Sequence, residues 1–263
     1  KMHTEKVLLL VALFIQTLIG FSANQERYIH FTEVDGLPRN ITTCIEQDKY
    51  GYVWIGTNNG IARFDGKNFK VYDELKDCGI ITLLYDTKQT LWVGTHLGLY
   101  KYNPVTDSFT QVTNGYISRL GEENGIIYLL MASNVYQIVG SEIQALPQFN
   151  NISDFCFTSE GLWVSRNNNG VILFDRNHNF ISAKASYFQG LQVATISEVE
   201  GALFVGMFDG QLFAISKNGR TQKIDLENHY YYKAFKKVGN EVWVTTDGNG
   251  IFVLDQNFRF IKK

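Results

Sequence analysis

Five histidines, His3, His30, His96, His178 and His229, are the first candidates for acid–base or metal chemistry. None has a Cys, His or carboxylate at metal-ligand spacing. Cys44, Cys78 and Cys156 form an odd set without a CxxC pair. Two of them lie in apolar runs, 41–45 and 152–157, where a free cysteine behaves as a small buried hydrophobe. The sequence holds no glycine-rich phosphate loop, no nucleophile elbow and no paired catalytic carboxylates. Asp247-Gly248-Asn249-Gly250 lacks the alternating oxygen ligands and closing Glu of a calcium loop, and reads as a hairpin turn. The expectation is therefore no catalytic residue, no metal and no cofactor. What remains is binding. Asn58, His96, Arg166, Asn167, Phe208, Asp247, Tyr187 and His229 offer amides, cations and aromatic rings suited to a neutral or acidic sugar, provided that one architecture gathers them.

That architecture is a tandem repeat. Anchoring aromatics fall at Trp54, Trp92, Tyr128, Trp163, Phe204 and Trp243, with steps of 38, 36, 35, 41 and 39 residues. A period near 40 is that of a four-stranded propeller blade. In the first copy, turn chemistry places strands at 41–46, 52–57, 61–64 and 69–72. Gly51 supplies the positive φ of a hairpin bulge, and Asn59-Gly60 and Asp65-Gly66 supply the next two turns. Because blades stack face to face, runs such as VWIGT and LWVGT read as nearly continuous apolar strands, and the glycine two positions after their Trp leaves room for a neighbouring blade's backbone or aromatic ring. The chain is thus expected to be all-β, a β-propeller of four-stranded blades. Its domain spans 24–263, with repeats at about 36–73, 79–110, 114–146, 150–184, 190–224 and 229–263.

This repeat decides which side chains are free to bind. The anchoring Trp residues could stack on sugars, but Tyr128 and Phe204 fill the same strand position, so packing is the favoured reading. Asn58, His96, Arg166, Asn167, Phe208 and Asp247 instead vary in the turn between second and third strands. Arg39, Tyr116, Tyr187, Phe188 and His229 fall in blade connectors, which emerge at the same end.

Composition narrows the partners. The 263 residues carry 24 Lys and Arg against 26 Asp and Glu, a formal net charge of −2, with cations scattered singly. No basic block exists to collect phosphates, which argues against nucleic acid. Residues 1–23 read as a signal peptide. Lys6 closes a charged region, 7–19 form an apolar core, and Gly20, Ser22 and Ala23 offer small residues for cleavage before Asn24. The apolar run is short for a bilayer span, so an uncleaved anchor is the lesser alternative.

Gly36-Leu37-Pro38, Asp48-x-x-Gly51-x-x-Trp54-Ile55-Gly56-Thr57, Asn59-Gly60-Ile61 and Phe64-Asp65-Gly66 together resemble the two-component regulator propeller repeat. The resemblance runs from about 36 to 263 and is poorest in the third copy. It implies the periplasmic sensor region of a hybrid sensor histidine kinase of Bacteroidetes, in a membrane-anchored parent, several of whose relatives recognise oligosaccharides. Its partners would be an oligosaccharide or other small periplasmic ligand, the rest of the receptor chain and a possible second copy. The family implies seven blades. Tyr28 to Val34 reads as a strand that would complete the last blade, with a six-bladed ring sealed by that strand as the competing reading. A stand-alone secreted glycan-binding or protein-interaction propeller is the functional alternative, and a propeller lyase or glycosidase is the third.

Overall fold

The computed structural model describes residues 29–181, 187–226 and 228–263. The signal-peptide segment lies outside them. The chain divides into two compact units, 1–32 and 33–263. Of the first, residues 29–32 are described and carry no strand. The strand expected over Tyr28 to Val34 is therefore corrected. Glu33–Asp35 forms a 3-10 turn instead, closed by the Gly36 N–H on the Glu33 carbonyl and held by Asn40, whose Oδ1 accepts the Glu33 N–H at 2.8 Å. Local capping wins there over β propensity.

The second unit is a β-propeller of six antiparallel blades in a ring. In blade one, strands Thr42–Gln47, Val53–Thr57, Gly60–Phe64 and Phe69–Val71 pair in sequence order. The tight turn follows from the register: Thr57 pairs directly with Gly60, whose φ of 117° only glycine tolerates easily. Five blades have four strands. Blade four has three, Ile152–Thr158, Gly161–Arg166 and Gly170–Phe174, edged by bridges from Val171 to Tyr187 and from Phe174 to Phe180. Blade six owns its outer strand, Phe260–Lys262. Among the described residues the only helical pieces are two 3-10 turns, Glu33–Asp35 and Asp73–Leu75, and no helix is long and apolar enough to cross a membrane.

Apolar side chains cement consecutive blades. Five clusters are present, one at each contact from blade one through blade six. Trp54, Trp92, Tyr128, Trp163 and Phe204 each enter one of them and are 7% exposed or less. For Trp54, Trp92 and Phe204 the glycine two residues on, Gly56, Gly94 and Gly206, gives the next blade room to approach. A Cβ on Gly94 would stand 2.6 Å from Thr82 Cγ2 and 2.9 Å from Ile117 Cγ2 of the next blade. The expected neighbour is thus aliphatic here, whereas Tyr232 fills the place beside Gly206. All three cysteines are free, and burial pushes the Cys44 thiol up to about 11.

Candidate functional site

A meander has two ends. At one, the turns between second and third strands are stitched to the connectors: Asn58 N–H bonds the Ile41 carbonyl, His96 N–H the Gly79 carbonyl, and Phe208 N–H the Gln192 carbonyl. At the other end lie the turns joining first to second and third to fourth strands.

The latter end is organised by aspartate. Asp48 accepts the N–H groups of Tyr50 and Tyr52 at 2.9 and 3.1 Å, and the Trp54 indole N–H at 2.9 Å. Asp86 repeats this with Thr90 N–H at 2.7 Å and the Trp92 indole at 2.8 Å. The six-residue step from Asp to Trp thus closes a turn and satisfies a buried indole at once. Blade six substitutes Glu241, which accepts the Trp243 indole at 3.0 Å. In blade three the acid at this step, Glu122, instead accepts the N–H and hydroxyl of Thr87 in blade two. The Tyr128 of blade three meets His178 of blade four, with Oη and Nε2 3.5 Å apart.

At this end a cleft of about 880 Å³ opens between blades one and two and wraps the base of blade two, whose Thr110 and Val112 line it from the face toward blade three. Trp54, Tyr52, Arg63 and Tyr102 form its inner wall, and Lys49 and the well-exposed Tyr50 come from the Asp48 turn. Lys88 comes from the Asp86 turn, and Lys101 from the third strand of blade two. The Arg63 guanidinium carbon sits 4.6 Å from the Tyr52 ring centroid and 5.4 Å from that of Trp54. Its Nη1 donates to Tyr102 Oη at 2.9 Å and to Asp107 Oδ1 at 3.3 Å. Asp107 also accepts the hydroxyls of Tyr102 and Tyr72, at 2.6 and 2.8 Å, and the Lys70 ammonium. Burial opposes the Asp107 charge, but these donors and the Arg63 charge outweigh it and hold the carboxyl at about 2.

Arg63, Lys49, Lys88 and Lys101 line the cleft against one carboxylate, Asp48, whose oxygens are already engaged. The Lys88 and Lys101 ammonium groups turn toward blade three, onto the Gly125 carbonyl and the Trp92 ring, and Lys49 bonds Gln89 Oε1. The cleft's described lining holds no His, no Cys and no second carboxylate. Aromatic faces and cationic donors suit binding.

At the connector end the expected residues assemble pairwise. His96 Nδ1 accepts the Gly79 N–H at 2.9 Å, and the Asn58 carbonyl borders the same glycine. Arg166 donates Nη2 to the Gln148 carbonyl at 2.6 Å, while its Nε is buried without a partner among the described residues. Asn167 donates to Asn151 Oδ1 at 2.9 Å. Phe208 is 46% exposed, and His229 borders Gly210 of the same turn. Asp247 lies 3.1 Å from Lys233 Nζ, both well exposed. Tyr187 is part of the scaffold: it packs on Trp163 at 6.1 Å and donates its hydroxyl to the Gly219 carbonyl at 3.2 Å.

Residues 36–59 match the family model for the two component regulator propeller. The chain carries the two-component regulator propeller repeat. Histidine kinase P4 of Formosa agariphila is 41% identical over 64 residues, covering 24% of this chain and 5% of that protein. The extracellular domain of a hybrid two component system of B. thetaiotaomicron superposes with a TM-score of 0.69 at 19% identity, over 85% of this chain and 36% of that one. Virginiamycin B lyase from Staphylococcus aureus gives the same TM-score at 16% identity, over 84% and 83%. At such identities the solved structures share the fold alone. The repeat-bearing chain spans about a third of the two-component domain and a twentieth of the kinase.

Proposed function

We propose that this chain is the exported ligand-sensing propeller of a two-component receptor, and that it recognises an oligosaccharide in the periplasm. The rest of a membrane-anchored receptor chain would be its covalent partner, and a second copy a candidate for assembly. Blade one carries the reading. The segment that matches the regulator repeat, 36–59, also supplies Asp48, Lys49, Tyr50, Tyr52 and Trp54 to one wall of the cleft. The kinase relative supports a signalling context.

Titration calorimetry of the chain against a panel of neutral and acidic oligosaccharides tests this reading. Saturable one-site binding of at least one of them is expected. A panel without any binding contradicts it.

A further inference from the structure

Between blades one and two the cleft matches its charges but not its hydrogen-bonding groups, and that difference selects a ligand. Lys88 and Lys101 turn away, onto the Gly125 carbonyl and the Trp92 ring. Of the cations that stay, Arg63 pairs with Asp107 at 3.3 Å, and Lys49 shares the turn of Asp48. An anion therefore meets no unmatched positive charge, and a cation finds both carboxylates already engaged.

The acceptors of this wall are spent. Asp48 Oδ1 takes two backbone N–H groups and Oδ2 the Trp54 indole, while Asp107 takes the Tyr72 and Tyr102 hydroxyls besides Arg63 and Lys70. The amide oxygens of Gln89 and Asn103 accept Lys49 Nζ and the Val105 N–H. The donors are not spent. Arg63 uses Nη1 on Tyr102 and Asp107, and its Nε and Nη2 have no hydrogen-bond partner among the described residues. The same holds for the hydroxyls of the half-buried Tyr52 and Tyr85. Two Nη1 bonds and the Tyr52 ring, 4.6 Å away, fix the guanidinium before any ligand arrives, which lowers the ordering cost of binding. Such partly desolvated donors gain most from a ligand that brings oxygen acceptors without charge.

Tyr50 supplies the apolar counterpart. It is 70% exposed, and its ring stands 6.4 Å from that of Tyr52 at an angle of 49°. An exposed aromatic face beside hydroxyl tips accepts a sugar's C–H face and its oxygens together. We infer that the cleft between blades one and two, on the aspartate-turn end, binds a neutral oligosaccharide. Its ring and hydroxyl oxygens accept from Arg63, Tyr52 and Tyr85, and one sugar face packs on Tyr50. This rests on the oligosaccharide-sensing reading and specifies both the site and the ligand's charge.

The test titrates galactotetraose, mannotetraose and tetragalacturonate into the chain and into two double variants. Tyr50→Ala with Tyr52→Phe strips the cleft of a ring face and a hydroxyl and spares Arg63, whose loss would disturb the Asp107 network. His96→Ala with Phe208→Ala alters the connector end. A neutral sugar is expected to bind about tenfold more tightly than tetragalacturonate, with an affinity that shifts less than about twofold between low and high salt. The tyrosine variant should lose about tenfold in affinity without a change in melting temperature, and the connector variant should lose nothing. Equal or tighter binding of tetragalacturonate, or an affinity that falls steeply with salt, overturns the neutral ligand. Binding undiminished in the tyrosine variant, or lost only in the connector variant, overturns the cleft. Either result leaves oligosaccharide sensing in place. No binding of any sugar overturns both.

Discussion

Single side chains in this propeller carry two duties at once. Trp92 fills the contact between blades two and three and places its indole N–H on Asp86, both residues being nearly fully buried. Trp92→Ala is expected to cost about 3–5 kcal/mol, as for other large aromatics removed from a core. Trp92→Phe keeps most of the packing but strands a buried carboxylate, and should cost about 1–3 kcal/mol. Urea unfolding of both variants measures this, and a Trp92→Phe cost near zero would show that the indole bond is idle. His178 offers a pH test. Burial beside Tyr128 and Phe149 lowers its basicity, with Asp175 opposing. The unfolded chain therefore takes up the proton first. The contribution is full above the unfolded value near 6.5 and is lost as pH falls from there toward the lower folded value. The melting temperature should drop between about pH 6.5 and 5, and His178→Gln should flatten that slope. An unchanged slope would place the titration elsewhere.

At the level of strands and blades, the anchoring aromatic marks how well each blade is covered. Trp54, Trp92, Trp163 and their equivalents in blades three and five are buried against the following blade, but Trp243 is only partly buried and enters no apolar cluster. Its face of blade six also carries Ile251, 41% exposed, and Lys236. Trp163→Ala should therefore cost about 3–5 kcal/mol and Trp243→Ala clearly less, a contrast that denaturant unfolding resolves. Equal costs would mean that blade six is covered as the others are. Inner strands are tied by polar groups as well. Asp154 lies 3.3 Å from Arg119 Nε and accepts Thr195 Oγ1 and the Ile196 N–H at 3.0 and 2.9 Å, which links blades three, four and five. No spacing announces this bridge, because its members are about 35–42 residues apart and each sits in an ordinary apolar strand.

For the whole molecule, the repeat period was enough to place the blades. Strands expected at 41–46, 52–57, 61–64 and 69–72 form at 42–47, 53–57, 60–64 and 69–71, since glycine turns and apolar runs are local signals. Residues 28–34 misled because an apolar run there is overruled by the turn that Asn40 caps. The cleft was illegible for a different reason. Tyr52, Trp54 and Arg63 belong to one blade and Tyr85 and Tyr102 to the next, and each reads as an ordinary strand residue until the two blades stand side by side. The step from Asp48 to Trp54 was visible, yet its hydrogen bond was not, because turn formation alone accounts for an aspartate there. Hydrogen–deuterium exchange of the chain, with and without a saturating amount of the oligosaccharide that binds it in calorimetry, reads the ligand's position most directly. Protection is expected at 48–52, 86–90 and 101–104. Protection confined to 58–59, 96–97, 166–169 and 208–211, or none anywhere, would contradict binding between blades one and two.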